Sequence, residues 1–173
     1  HNIGNTFVAA FGLEDLRDQS ESKDLLARVL DGIDVNASIL LVDDDGNDDN
    51  DDDGNDQCYT DMRDIYTGAL TGAGYTNFDV YVVVSDISDG PNSTQMSGHD
   101  VVIWFTGETC GGENLSGSGP EWIPTLTEND QSNLIDYLDS GGMLTLFGED
   151  ALETIVEQEL VKDYFGIYIS LQD

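Results

Sequence analysis

Positive charge is scarce in this sequence. Its 173 residues carry five Lys plus Arg against 36 Asp plus Glu, a formal net charge of -31. Arg17, Lys23 and Arg28 fall near the start, and only Arg63 and Lys162 follow. Nucleic acid and anionic membranes are recognised by basic surfaces, so neither is expected as a partner. Long apolar runs are missing as well, so no membrane insertion is expected. Histidine is confined to His1 and His99. No His/Cys cluster has the spacing of a zinc site, and His99, in a polar stretch, reads as a surface residue rather than a base.

Several catalytic and cofactor signatures are also missing. There is no G-x-x-x-x-G-K-[ST] and no G-x-G-x-x-G after a strand, so a phosphate cradle is not expected. There is no G-x-S-x-G nucleophile elbow. The chain begins at His1 rather than Met, which reads as a mature or excised piece of something larger.

What is present is an alternation of strand and helix patterns. "TFVAAF" at 6–11 is a strand candidate, and "SESKDLLARVLDGI" has helical spacing, with Leu25, Leu26, Val29, Leu30 and Ile33 on one face. Ser20 or Ser22 is expected to cap that helix. A strand follows at 38–43, then a helix in "YTDMRDIYTGALTGAGY" that ends at the glycines near 72–74. "FDVYVVV" and "DVVIWFTG" read as strands buried on both faces. "LTENDQSNLIDYLDSGG" opens with a capping box, Thr127 at the N-cap and Asp130 three residues on. "MLTLFG" is a strand, "DALETIVEQELVKDYF" a helix, and "YFGIYIS" a further strand candidate overlapping its end. This order predicts an α/β fold, a three-layer sandwich with a mostly parallel, flavodoxin-like sheet.

In such sheets ligands bind beyond the carboxyl ends of the strands, where the strand order reverses. The strands expected there are "SILLVD" and "DVVIWFTG". From the first hangs the most unusual stretch of the chain, "DDDGNDDNDDDGND" at 43–56. So many carboxylates repel one another and phosphate alike, which argues against a nucleotide or flavin. Asp49, Asp51 and Asp53, with Gly54, have the alternate spacing of a calcium loop, and Asp43, Asp45, Asn47 and Asp49 repeat it. An EF-hand would need Glu at its twelfth position, where Thr60 stands. The pattern is closer to the short D-x-D-x-D-G-x-D loops of extracellular modules. Asp43, Asp45, Asn47, Asp49, Asp51, Asp53 and Asp56 are therefore the expected ligands of Ca²⁺, a hard cation that takes oxygen donors. The plainer reading is a solvated acidic loop in a salt-adapted protein, and both can hold together. Cys58 and Cys110 lie on the two loops of the expected crevice, and a disulfide between them is expected if the chain is exported.

An enzymatic alternative is a metal-dependent phosphohydrolase of haloacid-dehalogenase-like type. Asp43 and Asp45 would form its D-x-D, Thr106 would follow a later strand, and Glu149 and Asp150 would be the late acidic pair. Its Lys has no match in order, because Lys162 comes after that pair. A receiver domain fits less well, since the expected phosphoacceptor strand ends in Thr106–Gly107.

Taken together, "ILLVDDDG", "DVVIWFTGE", "LTENDQSNLIDYLDSGGMLTLFGED" and "VAAFGLEDL…LLARVLDGI" resemble the glutamine-amidotransferase-like modules of secreted peptidases and cell-surface proteins. The resemblance implies a flavodoxin-like fold and an extracellular or cell-surface setting. Active members carry a nucleophilic Cys on the turn after the strand that matches "GGMLTLFGED". Here that turn is Phe147–Gly148–Glu149–Asp150, with no His–Glu pair elsewhere, so no catalysis is expected. In such modules the "FGLE…LL.RVLD" element comes last, whereas here it comes first, at 1–33, ahead of a main domain at 38–173 that carries the acidic loop 43–57. Three arrangements would follow: a circularly permuted chain that closes its own sheet, strand exchange with a copy of itself, or a boundary between neighbouring modules of a larger chain. The expected partners are thus calcium ions and copies of the chain or adjacent modules.

Overall fold

The computed structural model describes residues 6–9, 12–16, 18–45, 62–84, 88–107, 126–148, 152, 155 and 158–165. Among these residues five strands form one sheet: β1 (Thr6–Ala9), β2 (Ile39–Asp43), β3 (Phe78–Val82), β4 (Val101–Phe105) and β5 (Met143–Phe147), in the order β1-β5-β4-β2-β3. Every neighbouring pair is parallel. The α/β class is thus that expected, consistent with a flavodoxin-like three-layer sandwich.

The sheet is parallel because its central strands are apolar throughout. Every residue of β2 and of β4 is buried, and strands covered on both faces need helical crossovers between them. On one face, Ile39, Leu41, Ile103 and Phe105 pack under α1 (Gln19–Val29) and α2 (Arg63–Ala73), against Leu26, Leu30, Tyr66 and Leu70. On the other, Leu40, Val42, Val102 and Trp104 pack under α3 (Ser93–Met96) and α4 (Glu128–Asp139), against Met96, Leu134 and Tyr137.

The neighbour of β5 on its outer side is Thr6–Ala9 of the same chain, with Thr6 opposite Leu144 and Ala9 opposite Phe147. Tyr66 anchors the segment after this strand: its hydroxyl accepts from the Leu13 backbone N–H at 3.1 Å. At the far end of α1, the Tyr75 hydroxyl donates to the Leu30 carbonyl at 3.0 Å.

Three local expectations are corrected. Asp18, not Ser20 or Ser22, caps α1, accepting from the N–H groups of Ser20 and Glu21. A carboxylate is favoured there because it also meets the positive end of the helix dipole. Ser22 is buried and donates instead to the Leu13 carbonyl. The "FDVYVVV" segment is not buried on both faces. It is an edge strand bonded to β2, and Val80 and Val82 remain 39% and 38% exposed. A continuous apolar run does not distinguish an edge strand from a central one. The described residues of 150–165 do not follow one regular α-helix: Leu152 and Ile155 lie in turns, and Leu160–Tyr164 form a π-helical turn. Ile155 and Leu160, five residues apart, both belong to the core. The π-helical turn closes with the Phe165 backbone N–H donating to the Leu160 carbonyl at 3.2 Å, five residues back.

Candidate functional site

The sheet reverses its order between β2 and β4. The chain passes from β2 outward to β3, then back across to β4. The crevice beyond the carboxyl ends of these two strands is where the fold itself favours a ligand.

Three consecutive carboxylates stand there, and all three are buried: Asp43, Asp44 and Asp45. The side-chain alternation of a strand sends them in different directions. Asp43 continues the face of Ile39 and Leu41, beneath α2, and pairs in register with Phe105. Arg63, the first residue of α2, donates its Nε–H to Asp43 Oδ2. The other oxygen, Asp43 Oδ1, is buried with no hydrogen-bond partner among the described residues. Asp44 turns to the opposite face, where its Oδ2 accepts the indole N–H of Trp104 at 2.8 Å. Asp45 Oδ2 accepts the Met62 backbone N–H at 2.7 Å, at the start of α2.

The β4 side of the crevice is closely fitted. Gly107 has φ +60, and a Cβ there would come within 2.8 Å of Asp45 Cβ. Only glycine gives both the left-handed backbone and the room. Thr106 is buried, and its hydroxyl donates to the Phe147 carbonyl at 3.4 Å.

These contacts set what the arrangement can do. Burying a carboxylate is unfavourable unless a cation or hydrogen bonds compensate it. Of the three acids, Asp43 is the one that Arg63 meets with its positive charge. An acceptor oxygen left without a donor is suited to a hard cation, and Asp43 and Asp45, two residues apart, bring carboxylates to one side of the strand end. Among the described residues no group of three or more His, Cys, Asp or Glu could hold a metal by itself. The other expected ligands, Asn47, Asp49, Asp51, Asp53 and Asp56, lie outside the described residues, as do Cys58 and Cys110.

The requirements of a phosphohydrolase are met less well. Asp43 is engaged by Arg63, and the Thr106 hydroxyl is directed to β5. Lys162 belongs to the π-helical turn packed on α4, on the sheet face opposite Asp43. Glu149 and Asp150 lie outside the described residues. His99 is further from the surface than its polar setting suggests, with its side chain 14% exposed. Its ring lies between the Gln95 carbonyl, 3.3 Å from Nδ1, and the Asp79 carboxylate, 3.2 Å from Nε2.

A second acidic cluster is structural in every contact it makes. Asp130 accepts from the Gly90 N–H at 2.7 Å and from the N–H and hydroxyl of Thr127. Burial raises its carboxyl above the usual range, while these hydrogen bonds pull the other way. Asp89 accepts from Thr127 and Asn129. The cluster ties the loop after β3 to the start of α4.

Sequence reasoning passed over Arg63. The available signal was scarcity, since a cation is rare in this chain and stands here at a helix start, where the dipole disfavours it. The chain matches no protein-family model, no curated protein and no solved structure.

Proposed function

We propose that this chain is a non-catalytic, calcium-binding α/β module of an extracellular or cell-surface protein, serving assembly or an accessory role beside other domains. The observation that carries the reading is Asp43 Oδ1, an anionic oxygen buried at the strand-order switch without a partner among the described residues. A cation bound beside it would satisfy that oxygen, and Asp45 would supply a second carboxylate. Asn47, Asp49, Asp51, Asp53 and Asp56 enter the proposal from their alternate spacing alone. The extracellular setting rests on the resemblance described above, and a Cys58–Cys110 disulfide belongs to the same proposal. The phosphohydrolase reading draws less support, because a catalytic metal needs an open face for its water and Asp43 and Asp45 are both buried.

The test is calcium titration of the metal-stripped protein by calorimetry, with melting curves in EDTA and in added Ca²⁺. Saturable uptake, a higher melting temperature with Ca²⁺ and loss of both in Asp43→Asn are expected. Identical melts in EDTA and Ca²⁺, with no heat of binding, would falsify the reading.

A further inference from the structure

The first turn of α2 carries a charge that its own helix does not favour. Arg63 opens Arg63–Ala73, and the peptide dipoles of a helix present partial positive charge at that end. Its place is explained by the strand it faces. Its Nε–H donates to Asp43 Oδ2, and while the Asp43 side chain is fully buried, that of Arg63 is 34% exposed. The guanidinium thus reaches from the rim of the crevice to one carboxylate oxygen and leaves Oδ1 without a partner among the described residues.

We infer that Arg63 is the built-in counter-cation of this crevice and competes with a divalent cation for Asp43, so that it sets how weakly the site binds. The inference rests on the calcium reading above and concerns the regulation of that same site. Two physical effects give the competition. A guanidinium stays charged at every accessible pH, so it always repels an incoming cation. It also occupies Oδ2, so Asp43 can offer the cation only Oδ1 until Arg63 withdraws. The partial exposure of Arg63 gives it a path to solvent. With Arg63 inward, Asp43 is compensated and the fold tolerates the metal-free state. With Arg63 outward, both oxygens face the metal.

The experiment compares the full chain with Arg63→Gln and Arg63→Lys in metal-stripped buffer, using Ca²⁺ as the titrant and calorimetry as the readout. Arg63→Gln should bind roughly tenfold tighter, the effect expected for a single and a double positive charge about 6 Å apart in a water-like medium. Arg63→Lys keeps the charge and should stay within about threefold of the wild type. Should Arg63→Gln unfold without metal, the Ca²⁺-induced rise in its melting temperature should exceed that of the wild type. Binding by Arg63→Gln that is equal to or weaker than wild type, or an equal or smaller rise in melting temperature, overturns the inference and leaves the calcium reading standing. No uptake by any of the three proteins overturns both. Uptake by Arg63→Gln alone supports the inference in its strongest form, with Arg63 excluding the metal outright.

Discussion

The indole N–H of Trp104 donates to Asp44 Oδ2 at 2.8 Å, joining β4 near its carboxyl end to the residue that follows β2. Both groups are buried, and the Asp44 backbone N–H donates in turn to the Phe105 carbonyl at 3.0 Å. The carboxylate at the crevice is thus held by the core itself. Trp104→Phe removes the donor and leaves a void, and should cost about 3 kcal/mol in urea unfolding. A loss under about 1 kcal/mol would show that the bond contributes little.

Gly90 lies against the same ring. A Cβ at Gly90 would approach Trp104 Cη2 to 2.3 Å and Cζ2 to 2.8 Å. Gly90→Ala should therefore destabilise by about 1–3 kcal/mol through overpacking. Because the Gly90 N–H also donates to Asp130, the start of α4 should exchange its amide hydrogens faster in this variant. A wild-type melting curve for Gly90→Ala would contradict the packing described.

Tyr66 acts through both its ring and its hydroxyl. The ring stacks on Phe105 with centroids 4.0 Å apart and planes 9° from parallel, and the hydroxyl accepts from Leu13 N–H. Tyr66→Phe keeps the stack and strands a buried donor, a cost of about 1–3 kcal/mol. Tyr66→Ala removes both and should cost about 3–5 kcal/mol. Hydrogen exchange at Leu13 should quicken in Tyr66→Phe while that of β4 stays slow. Equal quickening of both would place the effect elsewhere.

The alkaline limb of stability should carry a contribution from Tyr164. Burial, reinforced by the hydrogen bond its hydroxyl donates to Asp139 Oδ1 at 2.9 Å, pushes its phenol up to about 12. The unfolded phenol titrates near 10. Between these values the folded chain holds a proton that the unfolded chain releases, so stability falls as pH rises from about 10 to about 12. Ultraviolet titration of Tyr164→Phe should lack one phenolate appearing late in that range, and its stability should decline less steeply there. A titration curve superimposable on the wild type would refute the assignment.

Thr127 caps α4 and also reaches the preceding loop through Asp89. Thr127→Ala should cost about 1–2 kcal/mol. Asp89→Ala, which removes the contacts of the loop with Thr127 and Asn129 and leaves the cap in place, should cost less than Thr127→Ala, as read from urea midpoints. The reverse order would mean that the loop contact matters more than the cap.

The alternation of apolar strands with amphipathic helices in the sequence by itself determined the α/β class, since a continuous run such as Leu40–Leu41–Val42 must be covered on both sides. The start of α4 was equally legible, because Thr127 and Asp130 interact across three residues and a cap is a local matter. The Asp cluster after β2 was visible as composition, and its position at the reversal of strand order followed from the fold class. Tertiary structure decided the rest. It placed Val80 and Val82 on an edge, because exposure depends on how many neighbours a strand has and not on its own residues. It wound Leu160–Tyr164 as a π-helical turn, with the Phe165 backbone N–H donating to the Leu160 carbonyl five residues back and Leu160, Val161 and Tyr164 buried in the core. It also separated three adjacent aspartates by the faces of the sheet and set Arg63, twenty residues beyond Asp43, against the first of them. A pairing over that distance depends on where α2 lands, and α2 is held by Tyr66, Ala69 and Leu70 in the core. Those contacts form only when the layers close, which is why no local pattern announced them.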